Sequence, residues 1–187
     1  SNKSIVVLPF VNMSADPENE YFSDGITEEI INALTIVKGL KVIARTSSFA
    51  FKNKNIDVRT IGNQLGVSTV LEGSVRKVNN KVRITAHLIS TNDGTHFWSN
   101  NYDRELEDIF AVQDEISLQI ADRIRENFGH LNIQEHLVES PTQNIEAYNL
   151  YLKGRYHHLM WDGQGIANAV ELYEQCVAID PSYALPY

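Results

Sequence analysis

Apolar positions along the chain change their period several times, and each change marks an element. The run Ile5-Val6-Val7-Leu8-Pro9-Phe10 is too short for a helix and too continuous for a half-exposed strand, so it predicts a buried strand ending at Pro9. Residues 12–20 read as an acidic loop around Asp16-Pro17. Ile26, Ile30, Ile31, Leu34 and Val37 then recur at helical spacing, with Ser23 or Asp24 as the cap and Lys38-Gly39 as the stop. A second strand at 40–44 completes a strand–helix–strand unit, which implies parallel strands and a right-handed crossover. Asp57 caps a shorter helix whose inner face is Val58, Ile61 and Leu65, and Gly66 stops it.

From residue 67 the pattern becomes that of strands. A strand over 67–78 turns at Asn79-Asn80 and returns through Val82, Ala86 and Leu88. It turns again at Asn92-Asp93-Gly94 into a strand over 95–102, an antiparallel meander in which Phe97, Trp98 and Tyr102 are packing residues. Ile109, Val112, Ile116, Ile120, Ile124 and Phe128 hold one stripe over about five helical turns, and Gly129 ends it. Residues 130–143, with Ser140-Pro141-Thr142, read as a linker. Two helices follow, from Asn144 to about Met160 and from about Gly165 to Ile179. Asp180-Pro181 breaks the second, and Tyr183-Ala184-Leu185 reads as the start of another.

The expected fold is therefore α/β. A mixed sheet is built as β-α-β-α, then an antiparallel meander and a long helix, and an all-α helix pair closes the chain. The expected division is 3–129 for the α/β domain, 130–143 for the linker and 144–187 for the helical unit. Ser1-Asn2 read as a cloning remnant, and the stop inside a helical pattern reads as the end of an excised piece.

Composition narrows the function. Hydrophobic residues make up 43% of the chain and charged residues 21%, which excludes a disordered or coiled-coil chain. Sixteen basic against 24 acidic residues leave a net charge of -8, which repels phosphate backbones and argues against nucleic-acid binding by this segment. The single Cys176 excludes an internal disulfide but leaves the compartment open. The apolar runs fall far short of the roughly 20 residues that cross a bilayer, so any membrane contact has to come from a segment outside this one.

Motifs of catalysis are missing. No Gly-rich loop ends in Lys-Ser or Lys-Thr, Gly163-Gln164-Gly165 lacks the third glycine of a dinucleotide turn, and no Gly-x-Ser-x-Gly elbow occurs. His157 and His158 are adjacent, hence about 100° apart on a helix, and do not share a metal. Asp16, Glu18, Glu20 and Asp24 lack the glycine and closing glutamate of a calcium loop and read as solvated. Neither a cofactor nor a metal is expected.

One candidate ligand site remains. Arg45, Thr46, Ser47 and Ser48 leave the carboxyl end of the second strand, where open α/β sheets bind ligands, and together with Glu72 they form a candidate anion or partner site. The competing reading is that the hydroxyls cap a short helix while Arg45 pairs with a carboxylate such as Glu72. Arg76, Lys77, Lys81 and Arg83 on the first hairpin read as charges that protect an exposed strand, with an anionic surface as the other reading.

The helix pair resembles a tetratricopeptide repeat. Gly154, Ala169, Tyr173, Cys176 and Pro181 stand where that family uses small, aromatic and closing positions. Lys153 in place of a leucine and a longer loop through Asp162-Gly163 depart from the pattern. One repeat cannot bury its own faces, so further repeats are expected. Residues 4–128 resemble the TolB-like amino-terminal domain of bacterial multidomain proteins. The matching runs include Tyr21-Phe22-Ser23-Asp24-Gly25-Ile26-Thr27-Glu28, Val42-Ile43-Ala44-Arg45-Thr46-Ser47-Ser48-Phe49 and Val70-Leu71-Glu72-Gly73-Ser74-Val75-Arg76.

These resemblances imply a non-catalytic sensing and protein-interaction module between an effector and a repeat array. The implied effector is a winged-helix or AraC-type DNA-binding domain of a membrane-tethered transcription regulator, and the run 49–55 favours that choice. The alternatives are an accessory region of an adenylate or guanylate cyclase, or a purely structural scaffold. The resemblance implies a periplasmic setting, with a cytoplasmic one still open. The implied partner is a protein or peptide held by the array, with Tyr148, Tyr151 and Arg155 as candidate groove contacts. A homodimer through the meander edge or the repeat end belongs to the scaffold reading.

Overall fold

A computed structural model describes residues 3–186; Ser1, Asn2 and Tyr187 lie outside the described residues. In chain order the elements are β1 (Ser4–Val7), β2 (Val11–Asn12), a 3-10 turn (Pro17–Asn19), α1 (Glu20–Thr35), β3 (Lys41–Val42), α2 (Arg45–Phe49) and α3 (Val58–Leu65). Then come β4 (Thr69–Val78), β5 (Lys81–Ser90), β6 (His96–Glu105), a second 3-10 turn (Leu106–Asp108), α4 (Ile109–Phe128), α5 (Ile145–His158) and α6 (Gly163–Ile179). The fold is mixed α/β with additional helices.

Sheet order is β3-β1-β4-β5-β6, with β2 continuing along β4 where β1 leaves off. β1 pairs in parallel with β3 and β4, whereas β4, β5 and β6 form the antiparallel meander. Ile5, Val6 and Val7 are fully buried, as a continuous apolar run requires. Pro9 interrupts the ladder between β1 and β2, and the Phe10 amide donates to the Thr27 hydroxyl of α1 instead, at 2.9 Å. Helices α1 and α4 cover one face of the sheet. On the other face Ile61 and Val67 meet Val6 and Val70.

Three local expectations are corrected. The first long helix starts at Glu20, because Asp16 caps the preceding turn and Pro17 opens it; Ser23 and Asp24 are buried inside α1 rather than capping it. The second strand keeps only two residues, since α2 starts at Arg45. Residues 183–185 form no helix, and Tyr183 is folded back with its amide donating to the Asp180 carbonyl at 3.1 Å.

Helices α5 and α6 pack on each other, and α5 also lies on α1 and α4. Tyr148 of α5 meets Phe110 of α4 edge-on, with ring centroids 4.6 Å apart. Gly25 of α1 gives Leu152 its room, since a β-carbon there would stand 2.8 Å from Leu152 Cδ2. Tyr148, Leu152 and Tyr183 thus share one continuous apolar cluster with Ile26, Ile30 and Ile116. The segment between α4 and α5 is tied down as well. Asp114 of α4 accepts the amides of Leu137 and Val138 at 2.7 and 3.0 Å and meets His136 Nδ1 at 2.8 Å.

Candidate functional site at the junction of α1, α2 and α5

Helix α1 carries carboxylates at Glu20, Asp24 and Glu28, four residues apart and therefore on one face. Like charges at that spacing repel unless cations meet them, and here Lys52 serves Glu20 and Asp24 while two arginines serve Glu28. Lys52 donates to both oxygens of Asp24, at 2.9 and 2.8 Å, and reaches Glu20 at 3.2 Å. Burial pushes the Asp24 carboxyl above its ordinary range, with the Lys52 hydrogen bonds pulling the other way.

Glu28 receives two arginines. Ser48 donates its hydroxyl to the Val7 carbonyl, which fixes α2 at the carboxyl end of β1. The Arg45 guanidinium, lying 3.9 Å over the Phe49 ring, then turns its Nε onto Glu28 Oε1. From α5, Arg155 donates Nε to Oε2 and Nη2 to Oε1, both at 2.9 Å. The Glu28 side chain is 11% exposed. A carboxylate so far removed from water is costly alone, and the bidentate fork supplies the charge-assisted bonds that offset the cost. Those bonds with Glu28 are the largest influence on Arg155 and hold its pKa above the ordinary value.

Beside the three charges lies a cavity of about 250 Å³, walled by Tyr21, Leu152, Tyr156, Leu159 and Met160, with Arg45 and Arg155 in its lining. A second, wider cleft of about 380 Å³ lies where β1 gives way to β2, with Lys54, Glu72 and His87 on its walls. Among the described residues, no cluster of His, Cys, Asp or Glu fits a metal ion, and no helix is long and apolar enough to cross a membrane.

The candidate residues from the sequence are scattered by this geometry. Arg45 pairs with Glu28, not with Glu72, because the anchored α2 aims it at α1 while Glu72 lines the other cleft. Thr46 and Ser47 are exposed, and Ser48 is buried with its hydroxyl committed to Val7. The candidate groove contacts on α5 differ in exposure. Tyr148 is 1% exposed, Tyr151 is half-buried between the Tyr173 and Tyr183 rings, and Arg155 is bound to Glu28 with 38% of its side chain exposed.

Among the repeat positions, Ala169 and Cys176 are buried, and Cys176 donates Sγ–H to the Ala147 carbonyl at 3.0 Å. Gly154 sits under the Tyr173 ring, while Pro181 is exposed. Glu28 is the residue the sequence reading missed. The signal that exposes it is the four-residue spacing of Glu20, Asp24 and Glu28, which puts three carboxylates on one face of α1.

Comparison with known proteins locates the chain. A Rhizobium meliloti (strain 1021) protein named "Putative adenylate cyclase 3" is 45% identical over 181 residues, which is 97% of this chain and 31% of that protein. The chain thus spans about a third of that relative. Among solved structures, lipoprotein GNA1162 from Neisseria meningitidis is 18% identical and matches 64% of this chain and 97% of its own, at a TM-score of 0.48. TolB from Acinetobacter baumannii is 12% identical over 67% of this chain and 29% of its own, at 0.49. The family described as "HilA/YgeH-like transcriptional regulator, second domain" matches residues 1–119. The chain therefore belongs to the family of HilA/YgeH-like transcriptional regulator second domains.

Proposed function

We propose that this chain is a non-catalytic regulatory module of a longer bacterial signalling protein, passing a signal from a helical array to an effector domain. In this reading α5 and α6 are the first tetratricopeptide repeat of an array that binds a protein or peptide. The outward apolar side chains of α6, Ile166 at 43% and Val170 at 51% exposure, support further helices packing there. A periplasmic setting belongs to the same reading and rests on the resemblance alone.

The observation that carries the proposal is the shared carboxylate. Glu28 is held at once by Arg45, next to the sheet's carboxyl edge, and by Arg155, on the first helix of the pair. A displacement of α5 has to break or drag a buried charge pair. That is the kind of connection that transmits a shift between elements.

Two effectors have support. Family membership favours a DNA-binding transcription regulator. The Rhizobium relative, matched through both the α/β part and the helix pair, favours a cyclase. The test is Glu28→Gln in the full-length protein, read as promoter activity or cyclic-nucleotide synthesis. The proposal expects an output that no longer responds to deletion of the helix pair. An unchanged response would refute it.

A further inference from the structure

We propose that the cavity at the Glu28 junction binds a small monocarboxylate with an apolar body, and that its occupancy sets how firmly α5 is held on α1. The second half rests on the coupling role argued above, and the first half does not.

Unspent donors border the cavity. A guanidinium carries five N–H groups in a planar fork. Arg45 meets Glu28 with its Nε as an ion pair, and among the described residues its Nη groups make no hydrogen bond. Arg155 spends Nε and Nη2 on Glu28. Both arginines line the cavity, so the Nη groups they do not spend on Glu28 are the donors an entering carboxylate would meet.

The acids present do not compensate. Asp24 is committed to Lys52, and both oxygens of Glu28 are already engaged. That commitment leaves no carboxylate to hold an ammonium, which excludes amines and zwitterions. Leu152, Leu159 and the rings of Tyr21 and Tyr156 supply apolar walls, which disfavour a strongly hydrated ion such as phosphate. About 250 Å³ is below the usual range for drug-sized ligands and excludes a nucleotide. A short aliphatic or aromatic acid remains. Met160, 47% exposed, lines the cavity, and the next residue, Trp161, is 74% exposed and provides a fluorescence reporter.

Hexanoate, hexanol and hexylamine are the probes, titrated into the chain while Trp161 fluorescence and the Leu152 and Leu159 methyl resonances are followed. Hexanoate is expected to saturate, with the alcohol and the amine weaker by about tenfold or more. Arg45→Gln should weaken hexanoate by a similar factor. So should Met160→Glu, which places a negative charge at an exposed position beside the cavity and leaves the packed core alone. No saturation, equal binding of hexanol, or unchanged binding in Arg45→Gln overturns the site. Saturating hexanoate is expected to change amide exchange in α5, and unchanged exchange overturns the regulatory half. Hexanoate bound through Arg45 while α5 exchange is indifferent to Glu28→Gln would sink the coupling reading and leave the site. Coupling through Glu28 without any binding would do the reverse.

Discussion

Arg155 grips Glu28 with Nε and Nη2, each at 2.9 Å, across 127 positions of chain. That fork joins a contact that also includes Leu152 on Gly25, Tyr148 on Phe110 and Lys153 over the Tyr21 ring. Glu28→Gln leaves two partly buried guanidiniums facing a neutral amide and should cost about 3 kcal/mol. Arg155→Leu should cost less, about 1–2 kcal/mol, because Arg155 is 38% exposed and Glu28 keeps Arg45. Denaturant unfolding measures both, and equal costs would mean that Arg45 contributes nothing at Glu28.

Ser48→Ala tests the anchor of α2. The substitution leaves the buried Val7 carbonyl without its hydroxyl donor and should destabilise the chain by about 1–2 kcal/mol. It should also loosen Arg45 from Glu28, so an effect on stability with no change at Arg45, followed by its side-chain resonances, would separate the two roles.

Two glycines give contrasting expectations. At Gly73 a β-carbon would stand 2.5 Å from the Thr85 carbonyl oxygen and 2.6 Å from the Phe10 ring, neither of which can retreat inside the sheet. Gly73→Ala should therefore cost about 2 kcal/mol or more. At Gly154 the clash, also at 2.5 Å, is with the ring of half-buried Tyr173, which can swing outward. Gly154→Ala should cost about 1 kcal/mol and act on the α5/α6 contact. Thermal melts of the two variants rank them.

Asp114 and His136 make the tie between α4 and the segment before α5 sensitive to pH. Burial works to raise the Asp114 carboxyl, but the hydrogen bonds from His136 and the amides of Leu137 and Val138 overcome it and hold it below 3.8. The hydrogen bond with Asp114 is the main cause that raises His136 above 6.5. A lowered acid stabilises fully above its unfolded value and loses the effect as pH falls; a raised base stabilises fully below its unfolded value and loses it as pH rises. Both contributions are therefore complete between pH 3.8 and 6.5. Exchange at the Leu137 and Val138 amides, corrected for intrinsic rates, should be slowest in that window. His136→Ala should flatten the alkaline side.

Elements with a local cause were legible in the sequence. Asp57 and Gly66 bracket α3 as cap and left-handed stop, with Gly66 at φ 65°, and the regular isoleucines of α4 gave that helix its buried face. What was missed depends on distant partners. Nothing near Glu28 reveals that Arg155 will arrive beside it, and Tyr148 reads as a surface tyrosine until Phe110 covers it. Arg45 was singled out for its charge, and which carboxylate it meets depends on how Ser48 fixes α2.

The central claim is that Glu28 and Arg155 act as one connection between the sheet's helix α1 and the helix pair. A double-mutant cycle with Glu28→Gln and Arg155→Leu, measured by denaturant unfolding, tests it most directly. A coupling energy of about 1.5 kcal/mol or more is the result predicted. Additivity within about 0.5 kcal/mol would contradict the claim, because residues that add independently share no connection to transmit.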